Sequence, residues 1–223
     1  MLPIVVTVGS LATAHPDNIS VSQSTAGSTP LTITGNLATA GVATMDTPRR
    51  VLITSAADDR LISFRVTGTN ADRNPIRETV PGTNGASAYT VQDFLTVTAI
   101  LPSAATAGNV TVGTNGIASS PWKLTNAQNQ AVSQISFGAV VSGTVTYGLE
   151  YCYENINSNS NAIGGALGNY PTPPVPRTFQ QLTGQTTNAD AALDNPVSAW
   201  RVIVTAGAGS VTVTAIEGGI EGS

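Results

Sequence analysis

Charge, cysteine, histidine, lysine and aromatic rings are all scarce in this 223-residue chain. Charged residues make up 10 % of it, against ~25 % in an ordinary soluble domain. One cysteine, Cys152, excludes a disulfide framework within the chain. One histidine, His15, sits in the turn-like run His15-Pro16-Asp17-Asn18, so neither a histidine-activated nucleophile nor a multi-imidazole metal site is expected. One lysine, Lys123, and eight arginines face thirteen acids, for a net charge of -4, which argues against a nucleic-acid partner. No apolar run approaches the ~18 residues of a membrane helix, so no membrane partner is expected. The segment from Met1 to Val8 lacks the basic start of a secretory signal, and Thr7 and Gly9 interrupt it. It reads as an edge strand or an extended arm of a protein made in a reducing cytoplasm, where a lone thiol is unremarked.

What is abundant is Thr (31), Val (22), Gly (22) and Ser (19). Good helix formers are sparse, and β-branched residues alternate with Thr over short runs, the pattern of strands with one wet face. Strands are predicted at 4–8, 19–21, 31–34, 50–54, 61–67, 76–80, 95–100, 110–113, 135–141, 144–153, 200–205 and 211–216. Turn clusters such as Asp58-Asp59, Pro81-Gly82, Asn84-Gly85, Asn115-Gly116 and Ser142-Gly143 separate them. This spacing, with no helices between strands, points to an all-β fold of two β-sandwich modules, jelly-roll or Ig-like, rather than an α/β sheet. In 144–153 the alternation puts Val145, Tyr147, Leu149, Tyr151 and Tyr153 on a core stripe and Cys152 on the opposite face. Rings are only 5 % of residues, so the cores should be thin and lined by Val, Ile, Leu and Ala.

Ala107-Gly108-Asn109-Val110-Thr111-Val112 returns 101 residues later as Ala208-Gly209-Ser210-Val211-Thr212-Val213, each after an aromatic-led strand, as in two hairpins with a glycine in the turn. The expected division is an amino-terminal arm with short strands over 1–46, one module over 47–118 and a second over 119–223. Two stretches do not read as core: Ser10 to Gly41, and the Pro/Asn-rich loop 155–196 inside the second module. Loops of that length are usually functional or disordered. The amino-terminal strand and this loop are natural arms for strand addition to a neighbour, which nominates Ile4, Val6, Val8, Tyr170, Pro173, Pro174 and Phe179 as interface residues. Trp122, beside Pro121, is a further candidate anchor.

Reactive constellations are weak. Asn70-Ala71-Asp72-Arg73-Asn74 has the alternation of a calcium loop but lacks its glycine and its twelfth-position Glu, where Pro81 stands, so a hairpin turn is expected. The acids form no evident pair for glycoside hydrolysis. There is no phosphate loop, dinucleotide fingerprint or Gly-x-Ser-x-Gly elbow. No catalytic residue, cofactor site or metal site is nominated, and the chain is not expected to be an enzyme.

The run Pro48 to Asp59, its continuation Ile62 to Asp72, the stretches Phe94–Thr98, Ala107–Val112 and Phe137–Tyr147, and Val197–Val202 leading into Gly209–Val213 together resemble small virion structural proteins of tailed bacteriophages. The likeness covers roughly residues 17–115 and 134–218 and consists of strand-and-turn patterns. It implies a sandwich or jelly-roll fold, symmetric copies on a particle assembled in the host cytoplasm, and contacts with the major capsid protein or other virion proteins. The role implied is capsid decoration (cement). Its rivals are a head–tail connector or tail ring subunit, and a carbohydrate- or receptor-binding module of a fibre. The segment Asn155 to Arg177 departs from such proteins. Low charge agrees with the resemblance, because uncharged surfaces desolvate cheaply in wide homo-oligomeric contacts.

Overall fold

In the computed structural model the described residues are 3–125, 132–154, 156 and 174–219. They form β1 (Ile4–Val8), β2 (Ser20–Gln23), β3 (Ala38–Thr39), β4 (Val42–Ser55), β5 (Ser63–Thr69), β6 (Pro75–Pro81), β7 (Ser87–Tyr89) and β8 (Phe94–Pro102). These are followed by β9 (Val110–Ser119), β10 (Lys123–Leu124), β11 (Val132–Ser142), β12 (Thr146–Cys152), β13 (Arg177–Thr178), β14 (Ala189–Leu193), β15 (Ala199–Ala206) and β16 (Ser210–Gly219). The only helical piece among the described residues is the single 3-10 turn Gln180–Leu182. The fold is all-β, and every pairing given a register is antiparallel. Two compact units divide the chain: Ala12–Gly116, and Met1–Leu11 together with Ile117–Ser223. This differs from the expected division on the amino-terminal side, because residues 12–46 belong with the first module and 1–11 with the second, while the boundary expected after residue 118 falls after Gly116.

The amino-terminal unit runs in the order β9-β4-β8-β5-β6, with β2 on β9 and β3 and β7 on β4. Alternation along β4 and β5 turns Val51, Ile53, Phe64 and Val66 inward, where they meet Phe94, Val97, Ile100, Val110 and Val112. The register shifts between Thr67 and Gly68, and a Cβ at Gly68 would lie 1.8 Å from the Thr96 carbonyl oxygen, so only glycine fits that bulge. The stretch 10–41, expected outside the core, supplies Ile19, Leu31 and Ile33 to it. The strand predicted at 31–34 does not form, but its alternation Leu31-Thr32-Ile33-Thr34 still turns Leu31 and Ile33 to one buried side. Side chains replace part of the missing ladder: the Gln23 carboxamide accepts the Thr32 N–H at 2.9 Å and donates to the Thr32 carbonyl at 2.8 Å.

In the carboxy-terminal unit one sheet has the order β1-β16-β11-β14. Across the core from it stand β13-β12-β15, with β10 and the last residues of β9 also on β15. Val6, Val8, Ile135, Phe137, Ala139, Val211 and Val213 from the first sheet share one core with Val145, Tyr147, Leu149, Trp200, Val202 and Val204 from the second. Phe137 packs edge-on to Trp200 at 5.2 Å between ring centres and tilted to Phe179 at 5.9 Å. Such ring pairs contribute ~0.5–1.5 kcal/mol beyond the area they bury.

Three expectations change here. First, of the two readings of residues 4–8 the edge strand holds and the free arm does not: β1 lies antiparallel on β16 at the end of its sheet, Ile4 opposite Ala215 through to Val8 opposite Val211. Second, the repeated Ala-Gly-x-Val-Thr-Val does not close a hairpin in either copy. β8 and β9 are separated by β4, while β15 and β16 belong to different sheets. Third, the described part of 155–196 is not bare loop. It holds β13, the 3-10 turn and β14, and it buries Phe179, Leu182 and Leu193. β14 reads Ala-Asp-Ala-Ala-Leu, without the β-branched alternation that marks a strand.

Candidate interaction surface

The side of the β1-β16-β11-β14 sheet turned away from the core follows from the registers. Val6, Val8, Val211, Val213, Ala215, Ile135, Phe137 and Ala139 are buried, so the alternating positions Val5, Thr7, Thr212, Thr214, Ile216, Ser136, Gly138 and Val140 point outward. Val5, Val140 and Ile216 are 58 %, 60 % and 53 % exposed, and Thr7 and Thr212 share a hydroxyl hydrogen bond of 2.9 Å between them. These four strands contain two charged residues, Asp190 and Glu217, and Glu217 is buried. Asp190, opposite Gly138 on the last strand, is therefore the one exposed charge on these strands.

One ion pair of this unit is enclosed. Arg201, 5 % exposed, donates from Nε to Glu150 Oε2 at 2.8 Å and from Nη1 to Ser119 Oγ at 3.1 Å. Its guanidinium lies 4.7 Å from the Trp122 ring centre. Trp122, nominated as an interface anchor, is half-buried by that stacking. The other nominated residues divide. Val6, Val8 and Phe179 are buried in their own core, Ile4 and Pro174 are half-buried, and Tyr170 and Pro173 lie outside the described residues. Alternation identified the inward residues of β1 without saying that the cover came from the same chain. The outward Val5, Val140 and Ile216 were missed, although the same alternation implied them.

The reactive groups are quiet. His15 Nδ1 lies 2.6 Å from Asp17 Oδ1 in an exposed turn. Asn70 Oδ1 accepts the N–H groups of Asp72 and Asn74 at 3.0 and 2.9 Å, which makes 70–74 the turn of the β5–β6 hairpin. Asp58 binds the Arg60 guanidinium at 2.8 and 2.7 Å, and that hydrogen bonding lowers its carboxyl from 3.8 to about 2. Cys152 was expected on the polar face but is fully buried, and burial pushes its thiol up to about 11, far from the thiolate a nucleophile needs. Tyr147 and Leu149 keep to the core stripe, whereas Tyr153 emerges 49 % exposed, edge-on to Tyr151, with Arg177 4.9 Å from its ring centre. Among the described residues no three His, Cys, Asp or Glu side chains gather as metal ligands, and no helix is long and apolar enough to cross a membrane. Neither family models nor curated proteins give a match to this chain.

Proposed function

We propose that this chain is a non-enzymatic structural subunit of a bacteriophage particle, a capsid decoration protein built from two β-sandwich modules. The observation that carries the reading is the outward face of β1, β16 and β11, on which Val5, Val140 and Ile216 stand among Thr and Ser with no exposed charge. Covering such a face costs little desolvation, whereas charged groups must be paired or paid for on burial. Each contact of this kind is weak, and many copies on one shell multiply them. The fibre-module reading would need an open aromatic platform. The most exposed ring of the Tyr151–Tyr153 pair instead has a guanidinium stacked on it, which favours the assembly reading.

The test is to purify particles of the virus encoding this chain, weigh their proteins and locate this one by immunoelectron microscopy. Decoration predicts retention on the head surface. A position at the neck or tail would move the subunit to the connector or tail ring, and absence from washed particles would end the proposal.

A further inference from the structure

A strand at the margin of a sheet offers a row of unpaired N–H and C=O groups, and proteins block such rows with charge, proline or brevity. Among the described residues of this chain nearly every margin is blocked. β6, which ends the amino-terminal unit's sheet, carries Pro75, Arg77, Glu78 and Pro81. β14 carries Asp190. The short strands β2, β3, β7, β10 and β13 run four residues or fewer. β1 is the exception: Ile4-Val5-Val6-Thr7-Val8 has neither charge nor proline, Pro3 standing just before it. With β16 on one side, its other edge meets no strand among the described residues.

We infer that the outer edge of β1 receives the β1 of a second copy of this chain, antiparallel about a two-fold axis through Val6. This rests on the assembly reading above and names its partner. In that register Val6 faces Val6, Ile4 faces Val8 and Val5 faces Thr7. Residues directly opposite share a face, so the core-side set Ile4, Val6 and Val8 aligns with itself and the outward set Val5 and Thr7 does likewise. A slip of one residue would set core-side positions against outward ones. Two four-stranded sheets thereby become one of eight strands, with both outward patches on the same side. No charge lies on β1, so none is brought together at the seam. A foreign strand would need a matching sequence, whereas two-fold symmetry supplies the match without one.

The test uses the full chain, by native mass spectrometry and sedimentation over a range of concentrations, with far-UV circular dichroism to confirm folding. The unaltered chain is expected to dimerise. Val5→Lys with Thr7→Lys sets like charges opposite each other twice across the seam and is expected to raise the dimer dissociation constant about tenfold or more. Val5→Lys with Thr7→Glu sets opposite charges there and is expected to restore pairing. Independently, hydrogen exchange of Ile4–Val8 in the unaltered chain should slow as concentration rises. Dimers undisturbed by the double lysine variant, or exchange in β1 indifferent to concentration, would overturn the inference. A chain monomeric in solution yet retained on particles would overturn it while leaving the assembly reading intact.

Discussion

In the carboxy-terminal unit the core closes around rings, with Trp200, Phe137, Phe179 and Tyr147 all buried, whereas the amino-terminal core contains only Phe64 and Phe94. The amino-terminal unit compensates with polar side chains that do the work of backbone. Besides Gln23, Thr90 Oγ accepts the Val51 N–H at 2.9 Å and donates to the Gln92 carbonyl at 2.8 Å. Asp59 accepts from Ala107 at 2.8 Å, and Glu78 accepts from Val91 and Gln92 at 2.7 and 2.8 Å. Burial raises the Glu78 carboxyl even so, the two N–H donors only partly offsetting it. Ion pairs do not divide the units in this way: Arg49 is buried against Asp46 in the amino-terminal unit as Arg201 is against Glu150 in the other, while Asp58–Arg60 stands in solvent. The carboxy-terminal unit adds the same device to its rings, with Ser120 Oγ accepting the Val202 N–H at 3.1 Å and Asn188 Oδ1 accepting the Val141 N–H at 2.8 Å. Where segments between strands are irregular, their orphaned peptide groups must be met one at a time.

That contrast is open to attack. The largest effect is expected from Trp200→Ala, which removes the centre of the ring cluster and should cost about 3–5 kcal/mol. Both tryptophans lie in the carboxy-terminal unit, so Trp122 fluorescence should report an earlier denaturant transition there. The amino-terminal unit's share of the circular dichroism change should stay where it was. If both signals moved together, the two cores would not be separate supports.

Gln23→Ala should cost about 0.5–1.5 kcal/mol, the net worth of an ordinary hydrogen bond, because the Thr32 peptide group it frees lies at the surface. Its signature is faster hydrogen exchange at Thr32 with tryptophan fluorescence unchanged. A neutral outcome would mean that water replaces the carboxamide and that the stand-in role is decorative.

The smallest effect belongs to Asp58→Asn. The native carboxyl is lowered from 3.8 to about 2, so its stabilisation is complete above 3.8 and fades as pH falls toward 2. Exposed ion pairs contribute little at any pH. The difference in thermal midpoint between the two proteins should therefore be slight at pH 7 and gone below about pH 2. A large difference at pH 7 would show that this surface pair matters as the enclosed one does.

Most strands were legible because side chains alternate along them, and β1 in particular was read at its observed bounds, Ile4–Val8. Elements that bury a residue without alternating were not. β14, Ala-Asp-Ala-Ala-Leu, buries Leu193 with no alternation to announce it, whereas Leu31 and Ile33 do alternate but sit in irregular backbone held by Gln23 and by the Leu31 N–H on the Ile100 carbonyl. The Tyr stripe holds through Tyr151, half-buried against the core, and fails at Tyr153, which follows the end of β12 and is exposed. The nominated surface suffered from a related blindness. Alternation separates two faces of β1 but cannot say which is covered by the same chain, and in the fold Val6 and Val8 are covered while Val5 and Thr7 point outward.

Enclosing Cys152 removes one route of cross-linking. The one sulfhydryl of the chain faces inward as a protonated thiol, so copies have no means of becoming covalently stapled through sulfur while folded. The association of copies proposed above is therefore expected to be unaffected by an oxidising or a reducing medium.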